Sequence, residues 1–235
     1  MTFMTVKTLR PLVCGVGLAL VLVACGSDKS ALELTEITKR LGQRAMNDKA
    51  AVAASQQAVL QVSRADVEAA GVPLLRVRIE GTGAMSTLAE VDRQGAYSTY
   101  MTGDGIALLF RGGVLVGTRG LGVDLMGLSS PGLAAAIKAG KSTRAYRYLD
   151  GDEQLATVEM SCLVTSSAHG PVTILDRSYG VTQVKEWCQG EALDGKKLAF
   201  ENFYWVESGS GKVRQSRQFI SEKFGRAEIE VLNHR

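Results

Sequence analysis

Only 4 of the 235 residues are proline and only 2 are histidine. His169 lies beside a Gly-Pro turn and His234 near the end of the sequence, in no Ser/His/Asp context and at no metal-ligand spacing. Histidine-based nucleophilic catalysis and zinc hydrolysis therefore have no recognisable residues to work with. A large excess of one charge is missing too. The formal net charge is +3; removing Lys7 and Arg10, which precede an apolar leader without acids, from the 27 basic residues leaves 25 against 24 acids. A near-neutral body offers no counterion-release footprint, which argues against nucleic acid as a partner. No apolar run approaches the roughly 20 residues of a spanning helix. The 26 glycines are scattered rather than periodic, which excludes collagen-like and low-complexity chains. Those between Gly112 and Gly122 lack the strand–turn–helix order and Lys-Ser/Thr ending of a phosphate loop, and no cofactor motif is present.

What is present begins with an address. Lys7 and Arg10 precede Pro11–Val23, a short apolar run, and Leu22-Val23-Ala24-Cys25 ends it. A basic segment followed by a short apolar one is the layout of a secretory signal. The closing tetrapeptide matches the lipobox of bacterial lipoproteins. In that chemistry the Cys25 thiol accepts a diacylglyceryl group and cleavage follows the small Ala24. Further acylation, typically with palmitate, holds the protein by several chains, because one chain alone anchors only marginally. The expected segments are a signal peptide at 1–24, a lipidated tether with helical character at 25–62 and a folded domain at 63–235. Gly26 and Ser27 follow the cysteine without an inner-membrane retention Asp, so the expected location is the periplasmic face of the outer membrane, in contact with lipid through acylated Cys25.

Cys14 leaves with the leader and Cys25 is modified, so Cys162 and Cys188 remain. In an oxidising compartment an even residual pair predicts one disulfide. Two separately buried thiols are the alternative.

The mature chain changes character at Ser63. Ser63 is placed to cap a short helix with Asp66 three residues on, Gly71 ending it and Pro73 beyond. Short β-like runs then alternate with turn residues: Leu74–Glu80, Ala84–Val91, Gln94–Met101, and Ile106–Phe110 with Val114–Thr118 around Arg111-Gly112-Gly113. The neighbourhoods of Asp104 and Asp124 read as loops. A single helix is expected after Ser130 as cap and Pro131 in the first turn, stopping at Gly140. Thr143–Leu149 and Leu155–Val164 flank a hairpin tip at Asp150-Gly151-Asp152-Glu153. Val172–Leu175, Gly180–Trp187, Leu198–Val206, Val213–Ile220 and Ala227–Leu232 complete the strands. This is a mainly β chain: about eleven strands in an antiparallel sandwich or open barrel, with one or two short helices.

Several stretches, read in order, resemble the YjbF/GfcB family of exopolysaccharide- and capsule-associated lipoproteins. They are Ser63-Arg64-Ala65-Asp66-Val67 with Gly71-Val72-Pro73-Leu74, Arg147–Asp152, Glu186-Trp187-Cys188, Asn202–Val206 and Ser216-Arg217-Gln218. The most specific is Thr118-Arg119-Gly120-Leu121-Gly122-Val123-Asp124-Leu125. The resemblance implies a periplasm-facing β-rich lipoprotein that serves polymer secretion beside partners including a large outer-membrane β-barrel. It implies no catalytic site. Thr118, Gly120, Leu121, Gly122, Asp124 and Leu125 enter as motif positions expected to hold the shape of the sheet, with Asp124 as an ion-pair or backbone-capping residue.

Three functional readings follow. A non-catalytic docking scaffold is the leading one. Polysaccharide binding or modification is the second: Tyr146 and Tyr148 share a strand face with Arg144, Tyr204 lies opposite Phe203 and Trp205, and such aromatic faces either pack a core or stack on sugars. A lipid carrier with an apolar concavity is the third.

Overall fold

The computed structural model describes residues 49–149 and 153–234. The leader, Ala24, Cys25 and the tip residues Asp150, Gly151 and Asp152 lie outside the described residues.

Two helices lead in. The helix α1 spans Lys49–Leu60 and α2 spans Arg64–Ala69. Ser63 caps α2 as its sequence requires: its hydroxyl accepts from the Asp66 amide while the Asp66 carboxylate accepts from the Ser63 amide. Gly71 follows at φ +66°.

Twelve strands follow: β1 (Leu74–Ile79), β2 (Met85–Gln94), β3 (Tyr97–Met101), β4 (Ala107–Arg111), β5 (Val114–Arg119), β6 (Gly127–Ser129), β7 (Lys141–Leu149), β8 (Leu155–Ile174), β9 (Arg177–Glu191), β10 (Lys197–Glu207), β11 (Val213–Ser221) and β12 (Gly225–Val231). A third helix, α3 (Leu133–Ala139), joins β6 to β7. The sheet order is β5-β4-β3-β2-β1-β12-β11-β10-β9-β8-β7-β6, and every pair is antiparallel. The chain thus starts in the middle of the sheet, winds out to one edge at β5, crosses to the other edge at β6 and returns until β12 zips against β1. The result is a nearly closed barrel.

Three sequence expectations shift. The stretches ending at Val164 and beginning at Val172 form one strand, because an irregularity between Ser166 and His169 bends the pairing without ending it. A short strand, β6, follows the Asp124 loop, where loop alone was expected. Helix α3 starts two residues late: Gly132, at φ +90°, occupies the cap position, and Ser130 Oγ only receives the Gly132 amide at 3.4 Å.

Alternation fills the interior. Leu75, Val77, Leu88, Leu108, Leu115, Ile220 and Ile229 form one core half, and Tyr146, Tyr148, Val158, Met160 and Phe219 belong to the other. A satellite core of Val62, Val67, Leu74, Ile174 and Leu232 seats α2 and the overhanging β8–β9 hairpin on the barrel. Arg64 fixes that corner, donating to the carbonyls of Leu232 and Ile174 and pairing with Asp176.

The motif loop brings the two edges of the sheet together. Asp124 receives Thr118 Oγ1 at 2.8 Å and the amides of Gly120 and Leu121 at 2.9 and 3.1 Å. The Thr118 amide reaches the Leu125 carbonyl, the Leu125 amide returns to Thr118 Oγ1, and the Met126 amide bonds Arg147 of β7. Asp124 is therefore a backbone cap, and Arg119 spends its guanidinium on the carbonyls of Thr118, Leu125 and Met126. Gly120 and Gly122 sit at φ +88° and +95°, a region that glycine enters at little cost and residues with a Cβ rarely adopt. Nearby, Gln218 of β11 accepts from the Leu115 amide at 2.7 Å and donates to the Gly113 carbonyl, standing in for a neighbouring strand along β5.

Replacing Asp124 with alanine strands three donors, one of them the fully buried Thr118 hydroxyl. The expected cost is about 2–4 kcal/mol of unfolding free energy, read by urea denaturation. An unchanged midpoint would show that the sheet edges meet without this carboxylate.

Candidate functional site

Chemistry-bearing residues fall into an interior group and an outer-face group. The interior group centres on Glu186, wholly buried on the inward face of β9 between Val184 and Cys188. Its carboxylate pairs with Arg144 at 2.7 Å and receives Ser142 Oγ at 2.7 Å and Asn202 Nδ2 at 2.9 Å. Arg144 also donates to the Tyr204 hydroxyl at 3.0 Å, and Asn202 Oδ1 accepts from the Phe219 amide. Burial raises the phenol pKa values of Tyr146, Tyr148 and Tyr204, so these hydroxyls stay protonated. With Arg144 beside it and both oxygens engaged, the Glu186 carboxylate ties β7, β9 and β10 together inside the barrel. Cys162 and Cys188, directly opposite each other on β8 and β9, are joined by the expected disulfide beside this cluster. The 26-residue separation corresponds to a stabilisation of roughly 3–4 kcal/mol by loop-closure reasoning.

Tyr146, Tyr148 and Tyr204 are thus corrected as candidate glycan or partner contacts. All three point inward and are buried, Tyr146 edge-on to Phe200 and Phe219. Period-two alternation places them there, since Arg144, Tyr146 and Tyr148 share the face that the barrel closes over.

Trp205 has the opposite fate. It lies half-buried on the outer face of β10, with Phe203 tilted against it at 6.3 Å between ring centroids. Pairing register sets these rings in rows across the sheet. One row runs Lys185, Phe203, Arg217, Glu228, Arg78; the next runs Gln183, Trp205, Gln215, Glu230, Arg76. Arg78 and Arg217 both pair with Glu228, Arg76 pairs with Glu230, and Lys185 pairs with Glu201 while lying over the Phe203 ring. Beyond Glu201 the half-exposed Trp187 faces Leu163 across β8–β9. Aromatic faces framed by fixed charges and amides are suited to stacking on and hydrogen bonding with sugars. Trp187 and Phe203 were legible as members of motif stretches, but their shared outer face follows only from register. Glu186 carried a signal as well: an acid in phase with Val184 and Cys188 on a strand is a buried acid.

The barrel also encloses space. A cavity of about 340 Å³ opens among the hairpins at one end, floored by Leu75, Tyr100, Phe110 and Val231 and reached by Arg93 and His234. Another of about 280 Å³, lined by Val77, Leu88, Leu108, Leu121 and Phe224, lies toward the other end. Burial, with Arg214 and Lys212 adding repulsion, lowers the His234 pKa to about 4.

Two outcomes are expected from these environments. Glu186→Ala leaves the Arg144 charge buried and unpaired, costing about 3–5 kcal/mol, whereas the double variant Arg144→Met with Glu186→Leu retains most of the stability in the same denaturation assay. His234 binds its proton in the unfolded chain near pH 6.5 but in the folded chain only near 4. Its contribution is therefore present above pH 6.5 and lost as pH falls toward 4. A pH series of thermal melts should slope down through that window, and His234→Gln should flatten the slope between about pH 6.5 and 5, ahead of most carboxylate titration.

No curated protein matches the chain. Among solved structures, the hypothetical lipoprotein YmcC from Escherichia coli (K12) is similar in fold, with a TM-score of 0.64 and 20% identity over 81% of this chain and 98% of that one. The family described as group 4 capsule polysaccharide lipoprotein gfcB, YjbF matches residues 46–232, from before α1 to the end of the barrel. With most of its length matched, including the loop that closes the sheet, the chain belongs to the YjbF family of capsule polysaccharide lipoproteins.

Proposed function

We propose that the protein is anchored to the outer membrane through acylated Cys25 and supports capsule or exopolysaccharide export as a non-catalytic scaffold. Its working surface is the outer face of β9–β11, where Trp187, Phe203 and Trp205 meet polymer or a polysaccharide-secretion partner such as an outer-membrane β-barrel. The arrangement of these rings in register with Lys185, Gln183, Gln215 and Arg217 carries this reading, supported by membership of a capsule polysaccharide family. Tethering concentrates the domain where export occurs, so modest contact affinity suffices. Among the described residues the most buried carboxylate, Glu186, is neutralised and enclosed, which favours a scaffold over acid–base catalysis.

A second reading rests on the two interior cavities. They favour carriage of an apolar ligand, which predicts lipid released by organic extraction of protein purified from membranes.

The scaffold reading is tested by complementation of a deletion strain. Trp205→Ala combined with Trp187→Ala removes outer-face rings without opening the core. Secreted polymer should fall several-fold while the melting temperature and membrane fraction stay near those of the parent. Full polymer output from this variant would overturn the assignment of the surface, and full output from the deletion strain would overturn the role itself.

A further inference from the structure

An antiparallel meander sorts its turns onto two ends. The turns β1–β2, β3–β4, β5–β6, β7–β8, β9–β10 and β11–β12 all fall at one end, and the remaining connections fall at the other. The first end carries an unusual set of side chains. Val123, Leu149, Leu155 and Leu193 are 39%, 45%, 60% and 51% exposed. Leu149 and Leu155 face each other across β7–β8. Val123, Leu149 and Leu193, from three separate connections, line one shallow cavity of about 240 Å³. Toward the opposite end, Leu60 at the close of α1 and Tyr97 at the start of β3 are exposed, but they lie on separate elements and line no common cavity among the described residues.

The direction of α1 supplies an independent observation. Gln56 Nε2 donates to the carbonyl of Gly83, in the β1–β2 turn, at 2.8 Å. From there the chain climbs toward the opposite end, where Val62 packs with Leu74 and Leu232. Lys49 starts the helix seven positions before Gln56, about 10 Å of helix in the other direction. Helix α1 therefore begins at the end that carries the aliphatic lip.

We propose that this end is a membrane-docking face. The occupant is the surface of the phospholipid leaflet that holds the acyl chains of Cys25, with Val123, Leu149, Leu155 and Leu193 resting at the headgroup–acyl boundary. The inference rests on the lipid-anchor reading and adds an orientation to it. Lys196, Lys197 and Lys223 share these connections with Asp194, Glu222 and Glu153, and the sequence adds Asp150 and Asp152 between Leu149 and Leu155. The connections thus carry an excess of acid, and apolar contact, not attraction to anionic headgroups, drives the docking. Four partly exposed aliphatics bind a bilayer weakly from solution, but the anchor makes the encounter intramolecular. Docked in this way, the barrel holds the aromatic rows of β9–β11 on its flank, upright and open to the periplasm.

Hydrogen exchange on the mature protein, reconstituted into vesicles of phosphatidylethanolamine and phosphatidylglycerol, tests the proposal. Intact mass reports acylation of Cys25 separately. The expected result is exchange slowed roughly tenfold or more in segments 121–125, 153–156, 192–196 and 221–224 relative to detergent-solubilised protein, with 94–97 and 208–212 unchanged. Leu149→Asp with Leu193→Asp should abolish the slowing while the protein still floats with the vesicles and keeps its melting temperature. Acylated, vesicle-bound protein with equal exchange at both ends overturns the docking face and leaves the anchor standing. The same protection appearing with rising protein concentration in the absence of vesicles assigns the lip to a second copy and also overturns it. An unmodified Cys25 on protein that does not float overturns the anchor, and the docked orientation with it.

Discussion

The structure depends on how twelve strands dispose of two free edges. An open sheet of this size would present unpaired amides and carbonyls along β5 and β6, a template for adding further strands. Here a single carboxylate organises the remedy. Asp124 gathers the Thr118 hydroxyl and the Gly120 and Leu121 amides, folding the connection so that the ends of β5 and β7 are bridged through residues 124–126. Gln218 covers part of β5 from inside. Without these contacts the interior alternation would have no enclosed side to face.

Once the barrel is nearly closed, inside and outside become chemically distinct. Inside, Arg144 and Glu186 must satisfy each other and their neighbours, because desolvating either charge alone is expensive. Ser142 and Asn202 add hydrogen bonds to the Glu186 carboxylate, and Tyr204 accepts one from Arg144, whose Nε has no hydrogen-bond partner among the described residues. The disulfide holds the two strands beside it in fixed register. Outside, ion pairs cross the strands in ladders around the aromatic residues of β10. Surface pairs of this kind contribute little stability each, but they hold long side chains at set spacings.

Much of this was legible in the residues. The capping box at Ser63, the hairpin glycines and the two leftover cysteines each have a local physical signature, and the structure bears them out. The Thr118–Leu125 run was recognised by resemblance, and its expected role in holding the sheet agrees with the capping of Asp124. Harder to read was what depends on distant partners. β6 has three residues and forms because β7 offers it a ladder. The join between Val164 and Val172 passes through polar residues that resemble a turn, yet pairing with β9 carries the strand across it. The tyrosines show the same limit: alternation says which residues share a face, but only closure decides which face meets water.

The strand order has a kinetic implication. Neighbours in the sheet are neighbours in the chain everywhere except at β1, whose second partner is β12, the last strand to be made. Hairpins can form locally and early, since short loops cost little entropy to close. The seam beside β1 must wait for Gly225–Val231. Until then only the β2 side of β1 is paired, and the amides and carbonyls along its other edge have no strand to meet.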